Sequence, residues 1–255
     1  MTAFSIDHAI VIVRDLKTAM DDYRRLGFRV LPGGEHPAYN THNALIVFAD
    51  GSYIELLAAR EAMYFTYLQA ALSRDILDDE LPDDSPATRR ILYALGRGEG
   101  VQDFALRSDT DLPAIIASAK VGGVTLEGPV SGQRQRPDGT LLEWHFAMAR
   151  TGKLPFMIHD VTPRAQRVPE DDESRTHPNG AMGIESIEVY MPDMAVQLQD
   201  YVALLGDPSE QSHSQALFTL ADGAKVILRQ SPATTYRLNV RVPYLRRTKI
   251  GFTAG

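Results

Sequence analysis

The sequence predicts an α+β protein assembled from repeated β-α-β-β-β modules. Three observations predict it. Residues 6–58 pass from a strand through an amphipathic helix to three further strands, a weaker echo of that order begins near Val101, and another begins at Gly183.

The first strand is Ile6 to Val13, where Ile, Val and Ala dominate and both faces are apolar, as in a strand covered on each side. A helix follows. Asp15 is placed to cap its N-terminus, Leu16, Met20, Tyr23 and Leu26 recur at spacings of four, three and three, and Gly27 stands where a left-handed residue ends a helix. Phe28 to Leu31 reads as a short strand broken by Pro32-Gly33-Gly34. Asn43 to Phe48 and Tyr53 to Leu57 read as two strands joined at Ala49-Asp50-Gly51-Ser52, a hairpin signal. The echo places Val101 to Leu106 as a strand and Asp111-Leu112, Ile115, Ala119 and Gly123-Val124 as a helix, at an offset of 111 − 15 = 96. Leu141 to Met148 and Pro155 to His159 supply two more strands. In the third copy Ile184 to Val189, Asp193, Tyr201 and Leu204-Leu205-Gly206 parallel the first, and Asp222-Gly223 stands where Asp50-Gly51 stood. That copy is short.

Two segments have another character. Residues 60–98 show helical spacing (Ala62, Phe65, Leu68, Leu72; Ile91, Leu92, Leu95) around an acidic stretch from Asp75 to Asp84, and predict a helical insertion over one end of the modules. Residues 163–182 are rich in Pro, Arg and acids with no apolar period, and read as a linker. The organisation expected is therefore a domain over 1–162, with modules at 6–58 and 101–160, a linker over 163–182, and a third, partial module with a tail over 183–255.

Composition removes several functions. With 26 basic against 33 acidic residues the net charge is −7, which argues against a nucleic-acid partner. No cysteine is present, so any metal must be held by His, Asp, Glu or water. No apolar run approaches the length of about 18 residues that crosses a membrane, and Met1 to His8 lacks the pattern of a signal peptide. A cytoplasmic protein with no membrane partner is expected. There is no Gly-rich phosphate loop, nucleophile elbow or dinucleotide fingerprint.

The strings Gly33-Gly34-Glu35-His36-Pro37, Thr41-His42-Asn43-Ala44-Leu45, Tyr53-Ile54-Glu55-Leu56, Arg134-Gln135-Arg136-Pro137-Asp138-Gly139 and Leu154-Pro155-Phe156-Met157-Ile158 resemble the glyoxalase-like domain of the vicinal oxygen chelate superfamily. The resemblance covers residues 6 to about 160. It implies that two modules pair into a half-open barrel whose trough holds a divalent metal on first- and fourth-strand residues of each module. His8 and Glu55, separated by 55 − 8 = 47 residues, match the first pair. The second pair departs from the pattern. At the offset of 96, His8 maps onto Phe104, with Asp103 one residue away, and Glu55 falls opposite Ile158 or His159. If His159 is the match, His8, Glu55 and His159 form a two-His-one-carboxylate set for Zn, Fe(II), Mn or Ni, with His145 as a substitute. Ser186 and Ile227 stand at the corresponding positions of the third copy, so no metal is expected there.

The resemblance implies an enzyme acting on a small molecule with adjacent oxygens, by isomerase, lyase or dioxygenase chemistry through an enolate-like intermediate. Glu55 would be a metal ligand or general base; a carboxylate inside so apolar a strand is expensive to bury without a partner. His42 is expected to face the trough and hydrogen-bond the substrate, the alternative being a turn-stabilising histidine. Arg134, before a hairpin turn, is a candidate for gripping a carboxylate or enolate oxygen. A metal-free binding protein that sequesters an aromatic or apolar ligand is the alternative function, favoured by the missing ligand at Phe104. A homodimer is an expectation along any free strand edge.

Overall fold

The computed structural model describes residues 3–78, 86–136, 138–149, 154–242 and 251–253. Most of the acidic stretch that ends at Asp84, together with Pro137 and most of the tail beyond Val242, lies outside them.

The first module is β1 (Ser5–Ile12), α1 (Leu16–Arg25), β2 (Leu31–His36), β3 (Thr41–Val47) and β4 (Tyr53–Ala59). Asp15 caps α1 as its sequence position predicts, its carboxylate accepting the Thr18 N–H at 2.7 Å, and Leu16, Ala19 and Tyr23 turn inward. The β3–β4 hairpin turns at Gly51, whose φ of +80° suits glycine, and its register sets Leu45 opposite Glu55. The strand expected over Phe28 to Leu31 and broken at Pro32-Gly33-Gly34 instead begins at Leu31 and runs through Pro32, Gly33 and Gly34. Glycine is required because a Cβ on Gly33 would lie 2.0 Å from Asn43 Oδ1, and one on Gly34 would lie 2.6 Å from the Gln135 carbonyl.

Two helices, α2 (Ala62–Ser73) and α3 (Pro86–Arg97), form the expected insertion. The second module is β5 (Gly100–Arg107), α4 (Leu112–Val121), β6 (Leu126–Gln135), β7 (Leu141–Ala149) and β8 (Phe156–Asp160). β6 has no counterpart in the sequence reading, since Gly128, Pro129 and its polar residues hide the strand pattern. The modules meet antiparallel along β1 and β5, and a single bridging pair, Glu35 with Gln135, joins β2 to β6. That pair closes the expected half-open barrel into a ring ordered β1-β4-β3-β2-β6-β7-β8-β5.

Beyond the barrel lie two short helices, α5 (Arg164–Arg167) and α6 (Asp172–Arg175), and then a second sheet. Its elements are β9 (Gly183–Met191), α7 (Met194–Leu205), β10 (Glu210–Gln211), β11 (Gln215–Thr219), β12 (Lys225–Gln230), β13 (Thr235–Arg241) and β14 (Gly251–Thr253), in the order β10-β11-β12-β9-β13-β14. β13 was not expected, yet it pairs with β9 as β5 pairs with β1. No helix among the described residues is long and apolar enough to cross a membrane.

Two apolar clusters result. One joins the outer face of the barrel to its helices and to the third module; the other fills the inside of the barrel under the insertion. Phe104 belongs to the outer cluster, fully buried and edge-on to Tyr236 at 6.5 Å between centroids. Phe104→Ala should therefore destabilise the protein by about 3–5 kcal/mol, measured by urea unfolding, while leaving the residues inside the barrel in place.

Candidate functional site

A closed barrel has one inside, and strand alternation decides what enters it. The cavity is lined by His8 and Ile10 of β1, Tyr53, Glu55 and Leu57 of β4, Asn43 and Leu45 of β3, and His36 of β2. The second module supplies Arg134 of β6, Trp144, Phe146 and Met148 of β7, Phe156 and Ile158 of β8, and Asp103 of β5. Ala87, Arg90 and Ile91 of α3 cover it from one side, and Arg167 of α5 reaches it from another. One arc is polar and the arc around β7 is apolar.

His8 and Glu55 do meet: His8 Nε2 lies 3.5 Å from Glu55 Oε2. Asp7 accepts from His8 Nδ1 at 2.8 Å, and the imidazole is stacked on Tyr53 at 4.6 Å and edge-on to Phe156 at 5.5 Å, so its ring plane is fixed. Asn43 Nδ2 donates to Glu55 Oε1, while Asn43 Oδ1 accepts from Gly34 N at 2.9 Å and Arg134 Nη1 at 3.1 Å. Burial would raise the Glu55 pKa, but the imidazoles of His8 and His36, the Asn43 amide and the Arg134 guanidinium outweigh it and hold the carboxyl below its ordinary value. Asp7 is wholly buried, yet Arg167, His8 and Arg164 overcome the desolvation and keep it well below the usual range.

Three arginines approach the cavity with different partners. Arg167 donates to Asp7, Asp160 and the Tyr53 hydroxyl. Arg90 grips Asp103 with Nε at 2.5 Å and Nη2 at 2.6 Å, and lies over the Phe156 ring. Arg134 has no ion-pair partner among the described residues although only 4% of it is exposed, and burial lowers its pKa from the ordinary guanidinium value. Three buried atoms of cavity-lining residues lack a hydrogen-bond partner among the described residues: Arg134 Nε, Arg90 Nη1 and Trp144 Nε1. All three are N–H donors.

Several sequence assignments are corrected by this geometry. His159 and His145 are register partners on the outward face of β8 and β7, because their neighbours Ile158 and Trp144 point in. His42 likewise alternates with the inward Asn43 and Leu45 and does not face the cavity. Phe104 is not the counterpart of His8. The strands differ by 100 − 5 = 95 and the helices by 112 − 16 = 96, because the loop between β5 and α4 holds one residue more than that between β1 and α1. Asp103 is thus the counterpart of His8, and, since Ile10 pairs with Glu55 as Ala105 pairs with Phe156, Phe156 is that of Glu55. Sequence reasoning missed Asn43, Arg90 and Arg167 entirely.

The expected divalent metal does not fit these residues. Among the described residues no group of three His, Asp or Glu is arranged to hold one. Both Asp103 oxygens are taken by Arg90, with Oδ1 also accepting the Phe104 N–H, and the Glu55 network already contains a guanidinium.

His36 is buried against Thr41, and burial pushes its pKa down from 6.5 to about 4, so it is neutral at neutral pH. An unfolded chain protonates this imidazole near 6.5 and the folded one does not until about 4. The neutral form therefore contributes its full stability above pH 6.5, and that stability is lost as pH falls toward 4. His36→Asn should flatten the fall in unfolding free energy between those limits by on the order of 3 kcal/mol, measured by urea titration across pH.

A family model described as a glyoxalase-like domain matches residues 6–205. Among solved structures, a hypothetical protein from Staphylococcus aureus aligns over 91% of this chain and 88% of its own, at 17% identity and a TM-score of 0.68, so the likeness of fold extends through the third module. The Mn(II)-bound glyoxalase from Novosphingobium aromaticivorans aligns over 93% of this chain and 64% of its own, at 13% identity and a TM-score of 0.48. Methylmalonyl-CoA epimerase from Mycobacterium tuberculosis aligns over 63% and 90%, at 18% identity and a TM-score of 0.38. No curated protein matches the chain.

Proposed function

Because the chain belongs to the glyoxalase-like domain family of the vicinal oxygen chelate superfamily, we propose that its barrel cavity is a small-molecule site, and that it binds an organic anion with an apolar body without a divalent metal. The observation that carries this is Arg134: a buried guanidinium that makes no direct ion pair and has an unpartnered Nε among the described residues, joined to Glu55 only through Asn43, beside an apolar wall of Trp144, Phe146, Met148, Phe156 and Ile158. A buried unpaired charge is strongly unfavourable, and a ligand carboxylate or enolate oxygen is the partner that relieves it. Arginine presents its donors in a fork that matches such a group. The apolar wall offers the contact area of one aromatic or branched aliphatic body.

Metal-dependent isomerase, lyase or dioxygenase chemistry, which the family resemblance implies, would need donors that this cavity directs elsewhere. One observation favours a second reading, proton transfer on the bound ligand. Asp7, kept ionised by Arg167 and Arg164, fixes one nitrogen of His8 and turns the other toward Glu55 and the cavity. In that reading His8 or Glu55 moves the proton and Arg134 stabilises the oxyanion.

Protein stripped with a chelator should bind aryl-substituted carboxylates, read as a rise in Tm and by calorimetry. Arg134→Met should weaken that binding roughly 30-fold or more. Binding that appears only after reconstitution with Zn, Mn, Ni or Fe(II) would overturn the metal-free reading.

A further inference from the structure

We propose that Arg90 Nη1 is a second anchoring point in the cavity, so that the ligand is a monoanionic organic acid carrying an uncharged oxygen acceptor at the far end of its apolar body. The proposal rests on the Arg134 reading above and names its ligand more closely.

Arg90 is 8% exposed and lines the cavity from α3. Two of its three nitrogens are engaged: Nε and Nη2 hold Asp103, and Nη2 also donates to the Leu154 carbonyl at 2.6 Å. Nη1 has no partner among the described residues. Because Asp103 already balances this guanidinium, Nη1 needs an acceptor rather than another full negative charge. Arg134 differs, since it has a donor to satisfy and no acid in direct contact among the described residues, Glu55 being reached only through Asn43. The two sites therefore select different groups, an uncharged oxygen at Arg90 and an anion at Arg134.

The order of strands places them apart. Arg134 stands on β6 and is tied to Asn43 on β3; Arg90 is tied to Asp103 on β5 and lies over Phe156 on β8. In the ring β1-β4-β3-β2-β6-β7-β8-β5, β7 alone separates β6 from β8, while β4 and β1 separate β3 from β5. Between them along one side runs β7, with Trp144, Phe146 and Met148 facing in. A ligand lying on that apolar strip has one end at each guanidinium, and an eight-stranded barrel is just wide enough for one small molecule in this pose. Trp144 Nε1, the third unpartnered donor, lies on the same strip beside Gly132, where a Cβ would come within 2.5 Å of it.

Calorimetry on the full chain tests this with paired acids of nearly equal shape: 4-acetyl against 4-isopropyl substitution on benzoate, phenylacetate and 3-phenylpropanoate. Acetyl and isopropyl differ chiefly in the acceptor oxygen. At the chain length that spans the cavity, the acetyl acid should bind about tenfold more tightly than its isopropyl partner. In Arg90→Met/Asp103→Asn, which removes both charges together, that preference, read as the ratio within each pair, should fall to about one. Should the double variant fail to fold, the pairs measured on the unaltered protein decide the matter alone. Equal affinities within every pair, with binding still dependent on Arg134, would overturn the second anchor and leave the first reading standing. Failure of every acid to bind would remove both.

Discussion

Strand alternation in a closed ring constrains this molecule more than any single contact does. Each barrel strand has one face inside, so a residue is in the cavity or out of it according to the parity of its position. Even positions enter from β1, β2, β6, β7 and β8, and odd positions from β3, β4 and β5. The same rule that brings His8 and Glu55 together sends His42, His145 and His159 outward. The ring itself depends on one bridge between β2 and β6, which the absent side chain of Gly34 permits. Remove that approach and the cavity has no fixed inside.

Within the ring the charges are arranged unequally. Arg167 and Arg164 hold Asp7, and Arg90 holds Asp103, so buried carboxylates on β1 and β5 are each neutralised by guanidiniums from outside the two modules. The segment after β8 and the helical insertion are thus bound to the barrel floor and mouth by ions as well as by packing. Glu55 is held by Asn43 and faces His8. Arg134 alone among these guanidiniums makes no direct ion pair among the described residues, and reaches the nearest acid, Glu55, through Asn43. A protein optimised for stability would have an apolar residue there, and retaining the cation fits a site that gains its partner from solution.

Much of the architecture was legible in the sequence because hydrophobic period reports it directly. The Asp15 cap, the 3.6-residue spacing of α1 and the hairpin at Gly51 followed from local chemistry. β13 was legible too, since Thr235 to Arg241 alternates polar and apolar residues, but it was passed over as tail. β6 was not legible, as its glycine, proline and polar residues lack a strand pattern. The candidate site was half readable. His8, Glu55 and Arg134 line the cavity, whereas the placement of His42 ignored the hairpin register, in which Leu45 opposite Glu55 already commits odd positions of β3 to the inside. Arg90 and Arg167 were out of reach for a different reason. They come from segments with no periodicity tied to the barrel, and only tertiary contact shows that a lone arginine has a buried acid to meet.

The one-residue difference between the two modules explains why the metal expectation and the geometry part. Helix landmarks gave an offset of 96 and an apolar residue at the second-module position; strand landmarks give 95 and an acid. An acid opposite His8 would by itself strengthen the case for a metal. What removes it is Arg90, carried in by an insertion between the modules, which saturates both oxygens of Asp103. A guanidinium delivers one positive charge with fixed donor directions, where a divalent ion would deliver two and demand donors from Glu55 and His8 as well. With Arg90 on Asp103, Glu55 is held by Asn43, and Arg134 is left as the guanidinium without a direct ion pair among the described residues. The insertion is thus the element that commits Asp103 to an ion pair.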